Sequence, residues 1–290
     1  MVKNNTHKGL IEKKAALITG SSSGIGYEFS KLFAQDGYNL VLVARNKQKL
    51  KQLADELEGN FGISVKIISK DLSVATAPQE IFDEIQQESI QIDALVNNAG
   101  FNVYGLFSET DLMEELQMIQ VNLISLTHLT KLFLPGMLRK GSGSVLNVGS
   151  TGSFVPGGPL NAVYCATKAF VLSFSEAIAE ELQGTGISVT TLCPGATKTE
   201  FSRKDTNEVK SVWQEAFNGS ITNETDLNVN NLKGFEITRN ESGTKLKWAI
   251  FIVEGVAYEF VYGFADSIMP CYCFFPGMLV IALPDQRLLR

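Results

Sequence analysis

Six short apolar runs, the first five each followed by a stretch of helical periodicity, constrain this 290-residue chain more than any other feature. The runs are A-A-L-I-T within Lys13–Thr19, then Asn39–Ala44, Val65–Ser69, Asp93–Val96, Ser144–Val148 and Ile187–Leu192. Helical patterns occupy Tyr27–Asp36, Asn46–Leu57, Pro78–Glu88, Leu112–Leu138 and Val163–Leu182. Strands of four to eight residues alternating with helices predict an α/β fold, a doubly wound parallel sheet with helices on both faces. In such sheets ligands bind beyond the carboxyl ends of the strands. Here those ends are Arg45, Asp71, Asn98, Ser150 and Pro194.

The first run enters Gly20-Ser-Ser-Ser-Gly24-Ile-Gly26 and then a helix. Strand, glycine loop and helix bring backbone N–H groups and a helix N-terminus to one place, where a phosphate is stabilised. Glycine suits the loop because a Cβ would block close approach or the required backbone angles.

A second cluster runs from Ser150 to Lys168. Tyr164 and Lys168 are four apart, so on a helix they share a face. An ammonium beside a phenol favours the phenolate, so the tyrosine pKa is expected to fall from about 10 toward working pH. Tyr164 then becomes a general acid/base for a carbonyl or alcohol oxygen. Ser150, across a Gly/Pro-rich loop, can hydrogen-bond the same oxygen. Its neighbour Thr151 is the rival, and Ser150 is preferred.

Other function classes are disfavoured. A net charge of −6 without a basic stripe argues against nucleic acid as a partner. The polar N-terminus MVKNNTHKGLIEKK has no apolar signal core, so cytoplasmic residence is expected. The longest apolar stretch, near Cys271–Leu283, is interrupted by Pro276 and is short for a membrane span. The four cysteines read as reduced thiols, and Cys271-x-Cys273 alone is weak as a metal motif, so no metal is expected.

Residues from about Lys13 to Phe201 resemble the short-chain dehydrogenase/reductase family. The resemblance rests on T-G-x-x-x-G-x-G at Thr19–Gly26, N-N-A-G at Asn97–Gly100, Ser150, Y-x-x-x-K at Tyr164–Lys168 and P-G-x-x-x-T at Pro194–Thr199. It implies a Rossmann-type fold, NADP(H) or NAD(H), and hydride transfer between the cofactor and a small-molecule carbonyl or alcohol. By resemblance, Tyr164 exchanges the proton, Ser150 steadies the oxygen, Lys168 lowers the tyrosine pKa and holds the nicotinamide ribose, and Asn122 anchors a water leading from Lys168 to solvent. Gly20, Ser22, Ser23, Gly24, Ile25 and Gly26 would face the pyrophosphate, and Asp71 and Leu72 the adenine. Asn98, Ala99 and Gly100 would line the adenosine ribose side. Tyr164 and Lys168, with Pro194, Gly195, Thr197 and Thr199, would hold the nicotinamide end. The second strand ends at Ala44-Arg45 without the carboxylate that bonds a ribose 2′-hydroxyl in NAD binders, and Arg45 suits a 2′-phosphate, so NADP(H) is the expected cofactor. The resemblance also implies a homodimer or homotetramer packed through the helices at Leu112–Leu138 and Val163–Leu182.

Beyond Phe201 the pattern departs from the family. Alternating residues at Gly234–Arg239 and Thr244–Phe251 around Asn240-Glu-Ser-Gly243 predict a hairpin. Met278–Leu283 reads as a last strand. The whole chain is expected to be one dehydrogenase domain with a lid-like insert at about 205–276, in which Phe201, Val212, Trp213 and Phe217 form an apolar wall.

Overall fold

The computed structural model describes residues 13–154 and 160–195, and the backbone of four strands between 221 and 262. β1 (Ala15–Thr19), α1 (Gly24–Gln35), β2 (Asn39–Ala44), α2 (Lys47–Phe61), β3 (Val65–Ser69), α3 (Ala77–Gln87) and β4 (Ala94–Asn97) alternate along the first hundred residues. α4 (Leu112–Ile119), α5 (Leu126–Lys140), β5 (Gly143–Val148), α6 (Ala162–Glu181) and β6 (Ile187–Leu192) follow. The strands form one parallel sheet in the order β3-β2-β1-β4-β5-β6. The order reverses between β1 and β4, which opens a crevice above their carboxyl ends.

Strand alternation divides the core between the two faces of the sheet. Leu17, Val41 and Leu95 pack on one face with Ile81 and Ile85 of α3 and Leu129 and Phe133 of α5. Ile18, Leu40 and Leu42 pack on the other with Ala34 of α1 and Leu50, Leu53 and Leu57 of α2. Burial of each Leu or Ile contributes roughly 1.5–3 kcal/mol. Local chemistry ends the helices where the core no longer needs them. The Asn46 side chain accepts from Lys49 N at 3.0 Å to start α2, and Gly62 (φ 61°) stops it in the left-handed region.

The expected continuous helix from Leu112 to Leu138 is interrupted. Gln120–Ser125 forms a π-helical segment between α4 and α5. The wider turn buries both Asn122 and Ser125 against fixed backbone groups. Ser125 Oγ donates to the Leu72 carbonyl at 2.8 Å, and Asn122 grips Phe101. π-bulges concentrate at functional sites, and hydrophobic periodicity does not register them.

In the C-terminal part, β7 (Ile221–Val229), β8 (Leu232–Glu241), β9 (Thr244–Val253) and β10 (Val256–Tyr262) form an antiparallel sheet in the order β10-β9-β8-β7. β8 and β9 are the expected hairpin, with Ile237 opposite Trp248. β7 and β10 escape a sequence reading because I-T-N-E-T-D-L-N-V is polar without alternation, and V-A-Y-E-F-V-Y lies in a long, irregularly apolar stretch. The anticipated strand at Met278–Leu283, the wall residues Phe201, Val212, Trp213 and Phe217, and the two threonines Thr197 and Thr199 lie outside the described residues.

Candidate active site

Thr19, at the end of β1, ties the two strands that flank the crevice. Its buried Oγ1 accepts from the amides of Asn98 and Ala99, both at 3.0 Å, and donates to the Val96 carbonyl at 3.2 Å. The Asn98 side chain turns into the glycine loop, and its Nδ2 donates to the Thr19 and Gly20 carbonyls at 2.8 and 3.2 Å. A Cβ on Gly26 would lie 2.4 Å from both Asn98 Nδ2 and the Gly20 carbonyl oxygen. Gly20 takes φ 67° and Gly24 φ 58°. These glycines let β1, β4 and α1 converge, and Asn98 is the clamp that exploits the space.

The loop fits a dinucleotide phosphate. Ser23 stands at the N-cap of α1 but its side chain makes no capping bond, so the first N–H groups of the helix remain for an anion. Gly24 and Ile25 lie in that turn, with Ser22 and Ser23 part-exposed beside it. At the far end of the crevice Arg45 is exposed. Asp71 is occupied locally, its Oδ1 accepting from Ser73 N at 2.9 Å. The Leu72 side chain belongs to the core. Of the predicted adenine pair, only Asp71 is part-exposed at the crevice.

Asn122, Ser150, Tyr164 and Lys168 converge at the ends of β4 and β5. Asn122 is 1 % exposed. Its Oδ1 accepts from Phe101 N at 3.1 Å, and its Nδ2 donates to the Phe101 carbonyl at 3.0 Å and to Thr167 Oγ1 at 3.2 Å. The side chain thus fastens the chain after Asn97-Asn98-Ala99-Gly100 to α6. Lys168 Nζ donates to the Val148 carbonyl at 2.8 Å and lies 5.9 Å from the centre of the Tyr164 ring. A Cβ on Gly100 would stand 3.0 Å from Asn122 Oδ1 and 3.5 Å from Lys168 Nζ, so Gly100 packs directly against both.

Ser150, not Thr151, is the hydroxyl that meets the tyrosine: a side-chain hydrogen bond joins Ser150 to Tyr164. Gly152 N donates to Ser150 Oγ at 3.1 Å, which leaves the serine proton to point at the phenol. Thr151 instead donates its amide to the Pro194 carbonyl at 3.0 Å, and its methyl lies 3.9 Å from a Cβ placed on Gly195.

The electrostatics correct one expectation. Burial pushes the Tyr164 phenol up to about 12, against the lowering effect of the Ser150 hydrogen bond. Burial also pushes the Lys168 ammonium down to about 8, with the neighbouring Cys193 opposing. Lysine therefore does not drag the tyrosine toward neutrality in this state. Its ammonium donates to the Val148 carbonyl, and desolvation is the largest cause of both shifts. At neutral pH the pair is phenol and ammonium.

Several contacts here were not legible in the chain. Ser153 and Thr167 bond site residues, and Asn102 Nδ2 donates to Asn161 Oδ1 at 2.7 Å, three residues before Tyr164. The only local signal was the presence of hydroxyl and amide residues inside the motifs. Cys165 and Cys193 are buried. α6 is the one helix among the described residues long and apolar enough to cross a membrane, but Thr167, Lys168 and Ser175 on it are buried within the protein.

The profile of the short chain dehydrogenase family matches residues 14–210. The chain belongs to the short-chain dehydrogenase family. This short-chain dehydrogenase is 30% identical over 226 residues to an uncharacterized oxidoreductase of Staphylococcus epidermidis, across 76% of this chain and 96% of that protein. It is 34% identical over 199 residues to the very-long-chain 3-oxoacyl-CoA reductase of Homo sapiens, across 66% of this chain and 62% of that one. Among solved structures, a short-chain dehydrogenase from Sphingobium yanoikuyae in complex with NADPH superposes with a TM-score of 0.62 at 36% identity, over 65% of this chain and 73% of that one. An alcohol dehydrogenase from the archaeon Thermococcus sibiricus, complexed with 5-hydroxy-NADP, superposes with a TM-score of 0.61 at 32% identity, over 66% and 79%.

Proposed function

We propose that this short-chain dehydrogenase reduces a small-molecule carbonyl with NADPH, with Tyr164 as the proton donor. The observation that carries the reading is the Ser150–Tyr164 hydrogen bond beside a buried, cationic Lys168. Bound NADPH supplies the hydride. Ser150 and Tyr164 orient the carbonyl oxygen, and Tyr164 hands it a proton as negative charge develops there. Lys168 stabilises the phenolate left behind, and its ammonium is the group that would hold a ribose hydroxyl. A phenol held up to about 12 is protonated at neutral pH, the form that can give a proton to a carbonyl oxygen. The experiment is NADPH oxidation in the presence of an aldehyde and ketone panel; absence of turnover with NADPH bound would support a cofactor-binding protein without chemistry.

Cofactor choice rests on Arg45, which directly follows β2 with no acid beside it in the sequence. A charge-assisted hydrogen bond to a 2′-phosphate contributes roughly 1.5–3 kcal/mol, or about 10- to 100-fold in affinity. Titration is expected to show NADPH bound that much more tightly than NADH, with the gap shrinking in Arg45→Ala. Equal affinities in the unaltered protein would refute the assignment.

Self-association is part of the same reading. Leu112, Met113 and Leu116 on α4 and Ile124 in the π-helical segment are exposed, and Phe170 and Phe174 stack at 5.6 Å along α6. Exposed apolar side chains on these helices are the surface that self-association would cover. Light scattering at micromolar concentration is expected to give a dimer or tetramer mass, and Leu112→Glu/Leu116→Glu a smaller one. A monomeric mass for the unaltered protein would remove the proposal.

A further inference from the structure

We infer that Ser153 is a positioning residue for the reaction, acting through Ser150 by joining the ends of β5 and β6 to α6 behind the reacting groups. The inference rests on the reading of Ser150 and Tyr164 given above. Ser153 lies in the 3-10 turn Thr151–Phe154 and is 8 % exposed. Its Oγ accepts from the Ser150 amide at 3.2 Å and donates to the Lys168 carbonyl at 2.8 Å. Its own amide donates to the Ser150 carbonyl at 2.9 Å. The Cys193 thiol, at the end of β6, also hydrogen-bonds Ser153. One hydroxyl therefore meets three separate parts of the site. Gly149 makes room for this: a Cβ there would lie 2.9 Å from Cys193 Sγ and 3.1 Å from Ser153 Oγ.

The consequence falls on Ser150 more than on Lys168. The Lys168 carbonyl sits inside α6, which is held by its own helical hydrogen bonds. Ser150 has no such scaffold. It lies two residues past the end of β5, and it is oriented by the Ser153 hydroxyl and the Cys193 sulfur on its amide and by the Gly152 amide on its Oγ. Withdrawing the hydroxyl takes from the part-buried Ser150 amide its oxygen acceptor, leaves it only the weaker Cys193 sulfur, and lets the turn rotate. A misplacement of about 1 Å can cost on the order of 10²-fold in rate, so a partial loss of order here is expected to cost roughly 10-fold.

The test is a mutant cycle with 4-nitrobenzaldehyde and NADPH, supported by amide exchange. Ser153→Ala should lower kcat roughly 10-fold with NADPH affinity unchanged. In a Ser150→Ala background it should change kcat less than about two-fold, because residues acting through one another are not additive. Equal losses in both backgrounds, or an unaltered kcat in Ser153→Ala, would overturn the inference. Exchange of the Ser150 amide reads the same link without turnover: it should accelerate in Ser153→Ala, or in Ser153→Gly if the alanine variant does not fold, and an unchanged rate would also overturn it. Tyr164→Phe run in parallel separates the two levels. If that variant keeps full turnover, the acid assignment has failed; if it is inactive while Ser153→Ala behaves as the unaltered protein, only the role of Ser153 has failed.

Discussion

Tyr164→Phe is expected to lower kcat by about 10²–10⁴-fold, the usual contribution of a positioned acid, while NADPH affinity stays close to that of the unaltered protein. The substitution keeps the ring that lies beside Lys168 and removes only the hydroxyl that Ser150 bonds. Folding should be little affected, since the lost hydroxyl frees Ser150 to bond water. Single-turnover kinetics under saturating NADPH isolate the chemical step from product release. A purified variant with near-normal turnover would show that the proton comes from elsewhere.

Lys168→Met is expected to separate stability from activity. Lys168 is 4 % exposed and has no carboxylate partner among the described residues. Its folded value, about 8, lies below the ordinary 10.5. Below pH 8 the lysine is charged in both states, and the folded state carries the whole desolvation cost. Between pH 8 and 10.5 the unfolded chain binds more protons than the folded one, so stability from this group rises with pH. The cost is on the order of 3 kcal/mol. Methionine fills the space without charge, so the variant should be more stable than the unaltered protein at pH 7, and the gap should narrow as pH approaches 10. Tyr164 has the opposite sign: raised to about 12, it contributes stability that is complete below pH 10 and lost between 10 and 12. Urea unfolding of both proteins at pH 7 and pH 9.5 therefore reads the lysine alone. A stability difference that does not change with pH would refute the buried-charge account. Activity should fall by at least about 10²-fold, because the phenolate formed in the reaction loses its cation.

The parallel sheet, its alternation with helices and the hairpin of β8 and β9 were legible in the chain because their signals are local. A strand buried on both faces must be apolar at every position, as A-A-L-I-T is, and a helix must repeat its apolar residues near 3.6. Tyr164 and Lys168 were legible for the same reason, since spacing of four places two side chains on one helical face. Ser150 was separable from Thr151 only once the turn was folded, because their backbone angles decide which hydroxyl faces the phenol and which amide faces Pro194. The direction of the Tyr164 shift also needed the folded protein. Proximity to a cation is written in the sequence, but desolvation depends on everything packed around the ring, and it is the largest cause here. Asn98 inside the glycine loop, Asn122 on the Phe101 backbone and Ser153 between Ser150 and Lys168 depend on residues 15 to 79 positions apart. Local pattern determines which elements form and what chemistry they carry; the contacts that orient that chemistry exist only after the elements have packed.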